Sequence, residues 1–252
     1  MRKKSFFLLF IFSLMFLGGT DLFAQSAQIS PNDVTLKLGL EGKSFGKAVN
    51  VFLLLTALSL VPSFIVMMTS FTRILIVLNF LKKAMGTQSP GPKILAGLSL
   101  ILTVFIMQPT WTEIYNEAVM PYSNNEIGQD VALQKAIDPV KAFMLKQMIN
   151  REDSLTLFMD LGNIKPVDSP DMLPMTIVVP AFMLSELKTA FQMGFLIYLP
   201  FLLVDIVVAT TLMSMGMMML PPMMISAPFK LLLFIVVDGW TLMVKTLVIS
   251  FH

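Results

Sequence analysis

Four charged residues lie in otherwise apolar stretches toward the end of the chain: Asp205, Lys230, Asp238 and Lys245. Isolated ionised groups in such surroundings are costly, so they indicate either function or pairing. At about 100° per residue, the last three fall within about 80° of one another on a continuous helix. This stripe fits an ion relay, salt bridges to neighbouring helices or subunits, or helices packed inside a protein assembly. We favour a buried charge network, because a relay usually needs more acids and often a histidine.

The residue types that most enzyme chemistry needs are missing from the sequence. It holds no cysteine and its one histidine is His252, which leaves no thiol nucleophile, disulfide or multi-histidine metal site. Ser185-Glu186 has no basic partner for nucleophilic catalysis, and no phosphate-binding glycine pattern occurs. Glu152 and Asp153 suit the start of a helix better than an acid/base pair. We therefore expect no enzyme activity, no cofactor and no metal site.

The window Met213–Met224 reads MSMGMMMLPPMM and holds seven of the 22 methionines. Methionine is unbranched and deformable, so it suits surfaces that must conform to changing partners. Gly216, Pro221 and Pro222 predict that the chain reverses here between two helices. The cluster would then be either a compliant seal or the tip of a helical hairpin buried against other helices, and composition leaves both open.

The overall composition is that of a membrane or membrane-complex protein. Of 252 residues, 13% are charged and 56% are hydrophobic, whereas a soluble domain has roughly 25% charged residues. The net charge is +2, and without a basic cluster it gives no indication of nucleic-acid binding.

The elements that position these residues are predicted to be helices, because no strand-like alternation is long enough to support a sheet. We expect an all-α fold with about four long apolar helical segments, broken by prolines such as Pro62, and one small outer helical region. Pro139 interrupts the helical period of residues 126–149, which predicts two helices there.

The distribution of charge predicts the topology. Arg73, Lys82, Lys83 and Lys93 have no acid among them, which is typical of a cytoplasmic loop. The stretch from Glu113 to Lys188 carries more acids than bases and is expected on the outer face.

The first residues read as a secretory signal, since a positive start precedes an apolar stretch, Phe6–Leu17, that is too short to span a bilayer. The alternative is a short anchor that stays attached. The predicted organisation is a signal peptide (1–24), a polar segment (25–47), a first apolar hairpin (48–112) with a basic cytoplasmic loop (73–93), an outer periplasmic helical region (113–175) and a second apolar hairpin (176–252) with the methionine-rich turn.

Four segments resemble the FliP family of flagellar biosynthetic proteins: TSFTRILIVLNFLKKAMGTQSP (Thr69–Pro90), PAFMLSELKTAFQMGFLIYLPF (Pro180–Phe201), GMMMLPP (Gly216–Pro222) and PFKLLLFIVVDGW (Pro228–Trp240). The likeness covers roughly residues 50–252, and four motifs in order make it specific. The residues that carry the two signature segments are Pro180, Phe182, Glu186, Lys188, Phe191, Gly194, Pro228, Lys230, Asp238, Gly239 and Trp240.

The resemblance implies a core subunit of the type III protein export gate. Family members form a homopentamer with FliQ and FliR, FlhB wraps the cytoplasmic entrance, and the assembly lies within the MS ring and rod of the basal body. The subunits wind around a conduit for unfolded flagellar subunits, which implies the bacterial inner membrane and the flagellar basal body as the location. The methionine gasket of the family maps onto Met217, Met218 and Met219.

Three other interpretations are kept beside the flagellar one. The injectisome gate proteins of virulence-type secretion belong to the same family, but they are generally shorter and lack a cleavable signal. A different class of protein, an ion-coupled small-solute transporter, would use Asp205 and Asp238 as its ion site. A structural scaffold that nucleates assembly overlaps with the gate.

Overall fold

A computed structural model describes residues 49, 52–53, 55–56, 59–60, 63–64, 66–149, 152–164, 169–217 and 220–251. The chain divides into two compact units, Met1–Ile65 and Val66–His252. In the first unit the described residues are helical, and the Thr56 hydroxyl donates a hydrogen bond of 2.8 Å to the Phe52 carbonyl. The predicted signal peptide and polar segment, residues 1–47, lie outside the described residues.

The second unit is helical throughout its described elements, which confirms the all-α prediction for this part of the chain. A five-residue π-helix, Tyr115–Val119, and a short 3-10 helix, Pro170–Met172, join the α-helices. The α-helices are α1 (Phe71–Ala84), α2 (Pro92–Ile106), α3 (Gln108–Ile114), α4 (Met120–Ser123), α5 (Gln129–Met148), α6 (Glu152–Leu161), α7 (Met175–Ser214), α8 (Pro222–Val236) and α9 (Gly239–Ile249).

Helix α1 packs along α7 and forms the centre of the main core. Its buried apolar residues, Ile74, Val77, Leu78 and Leu81, recur every three or four positions, so they share one face. That face belongs to a cluster that also takes residues from α2, α7, α8 and α9. A second cluster forms where α5 and α6 pack against the start of α7.

One predicted loop is a helix. Residues 73–93 were expected to form a basic loop, but α1 occupies Phe71–Ala84 and only the short turn to Pro92 is loop. The prediction failed because counting charges ignored the apolar face of α1. Arg73 lies on that face and is fully buried.

The predicted break at Pro139 is also absent, since α5 runs without interruption from Gln129 to Met148. A proline inside a helix removes one backbone hydrogen bond, but Pro139 is buried against neighbouring residues. Burial of the ring offsets part of that loss.

The predicted reversal between α7 and α8 is confirmed. Helix α7 ends at Ser214, α8 begins at Pro222, and Gly216 has a φ of 73°, a conformation that glycine adopts without strain.

Three parts of the described chain match the length and apolarity of a membrane span. Helix α7 has 40 residues and a mean hydropathy of 2.2 in its most apolar window. The two others are bent pairs, α2 with α3–α4 at 59° and α8 with α9 at 65°. These three correspond to three of the four predicted apolar segments. The assignment of sides to the membrane stays a prediction.

Candidate functional site

Helix α7 carries a fully buried ion pair near its first third, between Arg73 of α1 and Glu186. The Arg73 Nε donates to Glu186 Oε2 at 2.8 Å, and the Arg73 Nη2 donates to Glu186 Oε1. Both side chains are 0% exposed. This bidentate arrangement fits the planar guanidinium to the carboxylate, and it satisfies two of the five arginine donors. We call it the inner pair.

The remaining donors of Arg73 bind Gln147 of α5, whose Oε1 accepts from Nη2 at 3.4 Å, and the turn that follows α9. Its Nη1 donates to the Ser250 carbonyl at 2.8 Å and to the Ser250 hydroxyl at 3.2 Å, and its Cζ lies 3.9 Å from the centre of the Phe251 ring. The amide of Gln147, on α5, donates to the Phe251 carbonyl at 3.0 Å. The inner pair therefore fixes α1, α5, α7 and the turn after α9 to one another.

A second ion pair lies farther along α7 and joins it to α8. The Lys230 Nζ donates to Asp205 Oδ2 at 2.6 Å and to the Ala84 carbonyl at 3.2 Å, while the Ser226 hydroxyl donates to Asp205 Oδ1 at 2.5 Å. Ala84 is the last residue of α1, so the ammonium also lies favourably at the negative end of that helix. The side chain of Lys230 is 3% exposed and that of Asp205 is 20% exposed. We call this the outer pair.

The structure joins only two members of the predicted charge network. Asp238 and Lys245 are exposed, and within the described residues neither forms an ion pair. The predicted stripe assumed one continuous helix, which is wrong, because the chain bends by 65° between α8 and α9. Asp238 forms this bend with a φ of 48° and a ψ of 53°, and α9 starts at the next residue. Lys230 and Lys245 therefore lie on different helices.

The methionine-rich turn lies at the tip of the hairpin formed by α7 and α8. From Asp205 to the end of α7 at Ser214 the helix advances about 14 Å, so the tip extends past the outer pair. Met218 and Met219 lie outside the described residues. The exposed methionines of the tip are Met213, Met215, Met217, Met223 and Met224. Among the described residues, these five side chains are exposed in the single chain.

Comparison with known proteins assigns this architecture to a family. The model of the FliP family matches residues 54–247. The chain belongs to the FliP family.

Relatives of the family match most of the chain. The flagellar biosynthetic protein FliP of Bacillus subtilis is 51% identical over 210 residues, which cover 83% of this chain and 94% of the relative. That of Pectobacterium carotovorum is 47% identical over 223 residues, covering 88% of this chain and 86% of the relative. That of Aquifex aeolicus is 46% identical over 230 residues, covering 90% and 93%.

The residues of the two predicted signature segments divide by burial. Phe182, Glu186, Gly194, Lys230 and Gly239 are buried and Pro180 is half-buried, whereas Lys188, Phe191, Pro228, Asp238 and Trp240 are exposed. The glycines are explained by close packing. A Cβ added at Gly194 would lie 2.5 Å from Phe80 Cδ2, and one at Gly239 would lie 2.2 Å from Phe234 Cδ2. The signature therefore combines residues that fix helix contacts with residues displayed on the surface.

The sequence analysis missed the partners of the inner pair. Arg73 was predicted to lie in a basic loop and Glu186 had no predicted partner, although their side chains form a fully buried, bidentate ion pair. The available signal was that each is a charge on an otherwise apolar helix, and such charges need partners. The predicted absence of a metal site stays a prediction. Within the described residues no group of three potential His, Cys, Asp or Glu ligands occurs.

Proposed function

We propose that this chain is a core subunit of the flagellar type III protein export gate. The observation that supports this role most is the exposed methionine tip of an apolar helical hairpin, in a chain that belongs to the FliP family. The relatives that match are flagellar biosynthetic proteins, which favours the flagellar branch over the injectisome. No catalytic step is assigned to the chain.

The methionine tips of several copies would form the seal of the gate. Thioether side chains are flexible and polarisable, so a ring of them closes on itself and also deforms around a passing chain of any sequence. Met217 is 44% exposed in the single chain, and we place Met218 and Met219 in the same ring. Met217 follows the end of α7, past the outer pair that joins α7 to α8.

The apolar surface of the hairpin supports an oligomer. Side chains along α7 and α8 leave large fractions of their area exposed, and a groove of about 510 Å³ between the helices is lined mainly by Leu203, Val207, Ile225 and Phe229. Such continuous apolar surface indicates burial by protein or lipid. We propose a homopentamer in the bacterial inner membrane, at the flagellar basal body. Its partners would be FliQ, FliR, FlhB, the MS ring, the rod and the exported flagellar subunits.

The export role is tested by measuring hook protein in the medium of a strain that lacks this chain. We expect export and motility to be lost together and restored by the intact gene. Normal export in the deletion strain would contradict the proposal. Secretion of virulence effectors would then test the injectisome branch.

The seal is tested by replacing Met217, Met218 and Met219 with alanine in the assembled gate. We expect small-solute permeability of the closed gate to rise several-fold, because three shorter side chains leave a gap that no neighbour fills. Uptake of a membrane-impermeant dye measures this. The control changes Met120 and Met172, which are exposed elsewhere in the chain, to alanine and should leave permeability unchanged. A triple variant that assembles and stays closed would exclude a sealing role.

The transporter alternative has less support from the geometry. Its proposed ion site needs Asp205 and Asp238 together, but Asp205 pairs with Lys230 and Asp238 lies at the bend between α8 and α9. It would also require uptake of a small solute that is lost when either acid is neutralised, in protein that stays monomeric in detergent.

A further inference from the structure

Three lysines flank the turn between α1 and α2 without an acidic neighbour. No Asp or Glu occurs between residues 43 and 112. The inner pair removes Arg73 from this set, which leaves Lys82 and Lys83 at the end of α1 and Lys93 at the start of α2. Lys83 and Lys93 are exposed and Lys82 is half-buried. Among the described residues none of the three forms an ion pair. We call them the basic turn.

The backbone next to the basic turn is held in place by buried residues and hydrogen bonds. Ala84 is 0% exposed and Met85 is 3% exposed, and the Ala84 carbonyl accepts the hydrogen bond from Lys230. The Met85 amide donates to the Leu81 carbonyl at 3.0 Å. Because the backbone beside Lys83 is already anchored, ligand binding at the end of α1 has little further backbone freedom to restrict.

An exposed apolar face of α2 starts beside Lys93. Ile94, Ile101 and Phe105 are 65%, 58% and 61% exposed, and their spacing of seven and four residues places them on one side of the helix. Helix α2 also belongs to one of the bent pairs that match a membrane span. An ammonium next to such a face is the arrangement found where a helix enters a bilayer, with the charge at headgroup level.

We propose that the basic turn binds the phosphate groups of anionic phospholipids, while the apolar face of α2 contacts their acyl chains. Negative lipid headgroups attract clustered lysines near the membrane surface, and the adjoining apolar side chains favour a lipid over a soluble phosphate. An acidic segment of a partner protein would match the charge but leave this face of α2 exposed. The proposal concerns lipid contact and does not depend on the export role.

The test measures lipid selectivity of the full-length chain in its assembled complex, reconstituted in bilayers with trace spin-labelled lipid. Electron paramagnetic resonance gives the association of spin-labelled phosphatidylglycerol relative to phosphatidylcholine. We expect the wild type to prefer phosphatidylglycerol by about threefold to fivefold. The preference should fall toward one in Lys83→Gln/Lys93→Gln and persist in Lys83→Arg/Lys93→Arg. It should also weaken at 1 M salt, where screening is strong, and resist competition by soluble glycerophosphoglycerol.

A matched control removes two other exposed lysines. Lys135→Gln/Lys146→Gln on α5 makes the same change in net charge at exposed positions, and the lipid preference should remain. Should the Lys83/Lys93 variant fail to assemble, Lys93→Gln alone should halve the preference. Equal selectivity in wild type and in the Lys83/Lys93 variant, or no selectivity in the wild type, would overturn the proposal and point to a protein partner. Hook protein export is measured separately, so failure of one proposal leaves the other standing.

Discussion

The inner and outer pairs lie on the same helix in different surroundings. Glu186 and Arg73 are completely buried, and the arginine is surrounded by acceptors from α5, α7 and the turn after α9. Asp205 keeps 20% of its side chain exposed, and its partner Lys230 makes one further hydrogen bond, to the end of α1. The inner pair joins α1, α5, α7 and the turn after α9. The outer pair joins α7 to α8 and to the end of α1.

This difference in burial predicts that the two ion pairs contribute differently to the stability of the fold. Removing one partner of a buried pair leaves an uncompensated charge in a medium of low dielectric constant, which is strongly destabilising. Because the Asp205 side chain is 20% exposed, water lowers the cost of an unpaired charge in the outer pair. We infer that the inner pair contributes more to the stability of the fold than the outer pair does.

The largest expected effect comes from Glu186→Ala. Arg73 would stay buried without its carboxylate, at a cost of about 3–5 kcal/mol, and the turn after α9 would lose its anchor. The amount of protein in membranes and its thermal unfolding in detergent should both fall sharply. The control is Lys188→Ala, two residues away and exposed, which should behave like wild type. A stable Glu186→Ala protein would contradict the structural role of the inner pair.

A change between the two pairs should have an intermediate effect. In Gly194→Ala the new Cβ would lie 2.5 Å from Phe80 Cδ2, so α1 must move away from α7, at a cost of about 1–3 kcal/mol. We expect a lower unfolding temperature. Phe80→Ala removes the two ring atoms at 2.5 Å and leaves only its own Cβ, at 3.0 Å, so the double variant should be more stable than the sum of the two single changes predicts. Strict additivity would show that this contact does not set the distance between α1 and α7.

Neutralising the outer pair should have a smaller effect on stability. Asp205→Asn keeps the shape of the side chain and an acceptor for Lys230, so we expect a loss of about 1–2 kcal/mol. The yield of assembled complex should be reduced only slightly, while hook protein export falls. A loss of protein as severe as that in Glu186→Ala would remove the distinction between the two pairs.

The smallest effect is expected at Asp238. Its side chain is exposed and no lysine of the described chain pairs with it, so Asp238→Asn should leave complex yield unchanged. Asp238→Ala should be the worse variant, because asparagine tolerates the left-handed conformation of this residue better than alanine does. Measuring the yield of both variants separates a backbone requirement from a charge requirement. A large loss in Asp238→Asn would show that its charge is used between subunits.

Local patterns in the sequence were enough to predict the fold class and the turn at Gly216. Helical periodicity and the turn-forming effect of glycine and proline depend on residues that are close together in the sequence. The composition that marks the methionine tip is equally local. Pairing between Arg73 and Glu186 joins residues 113 positions apart, and no local pattern specifies such a contact. The predicted stripe through Lys230 and Asp238 was wrong for a similar reason. A periodicity argument assumes an unbroken helix, and no proline marks the bend at Asp238.

Helix α7 is also about twice as long as a bilayer crossing requires, since 40 residues advance about 60 Å. The part of α7 from the inner pair at Glu186 to the end of the helix at Ser214 is about 42 Å long, and the outer pair joins it to α8 and to the end of α1. A tilt of α7 by about 10° about Glu186 would move the Ser214 end of the helix by about 7 Å. Pro200 lies in α7 between the two ion pairs and removes one backbone hydrogen bond from the helix. Bending of α7 at Pro200 would increase the displacement of the methionine tip. A small change in the tilt of α7 at the inner pair would therefore displace the methionine tip by more than the width of one side chain.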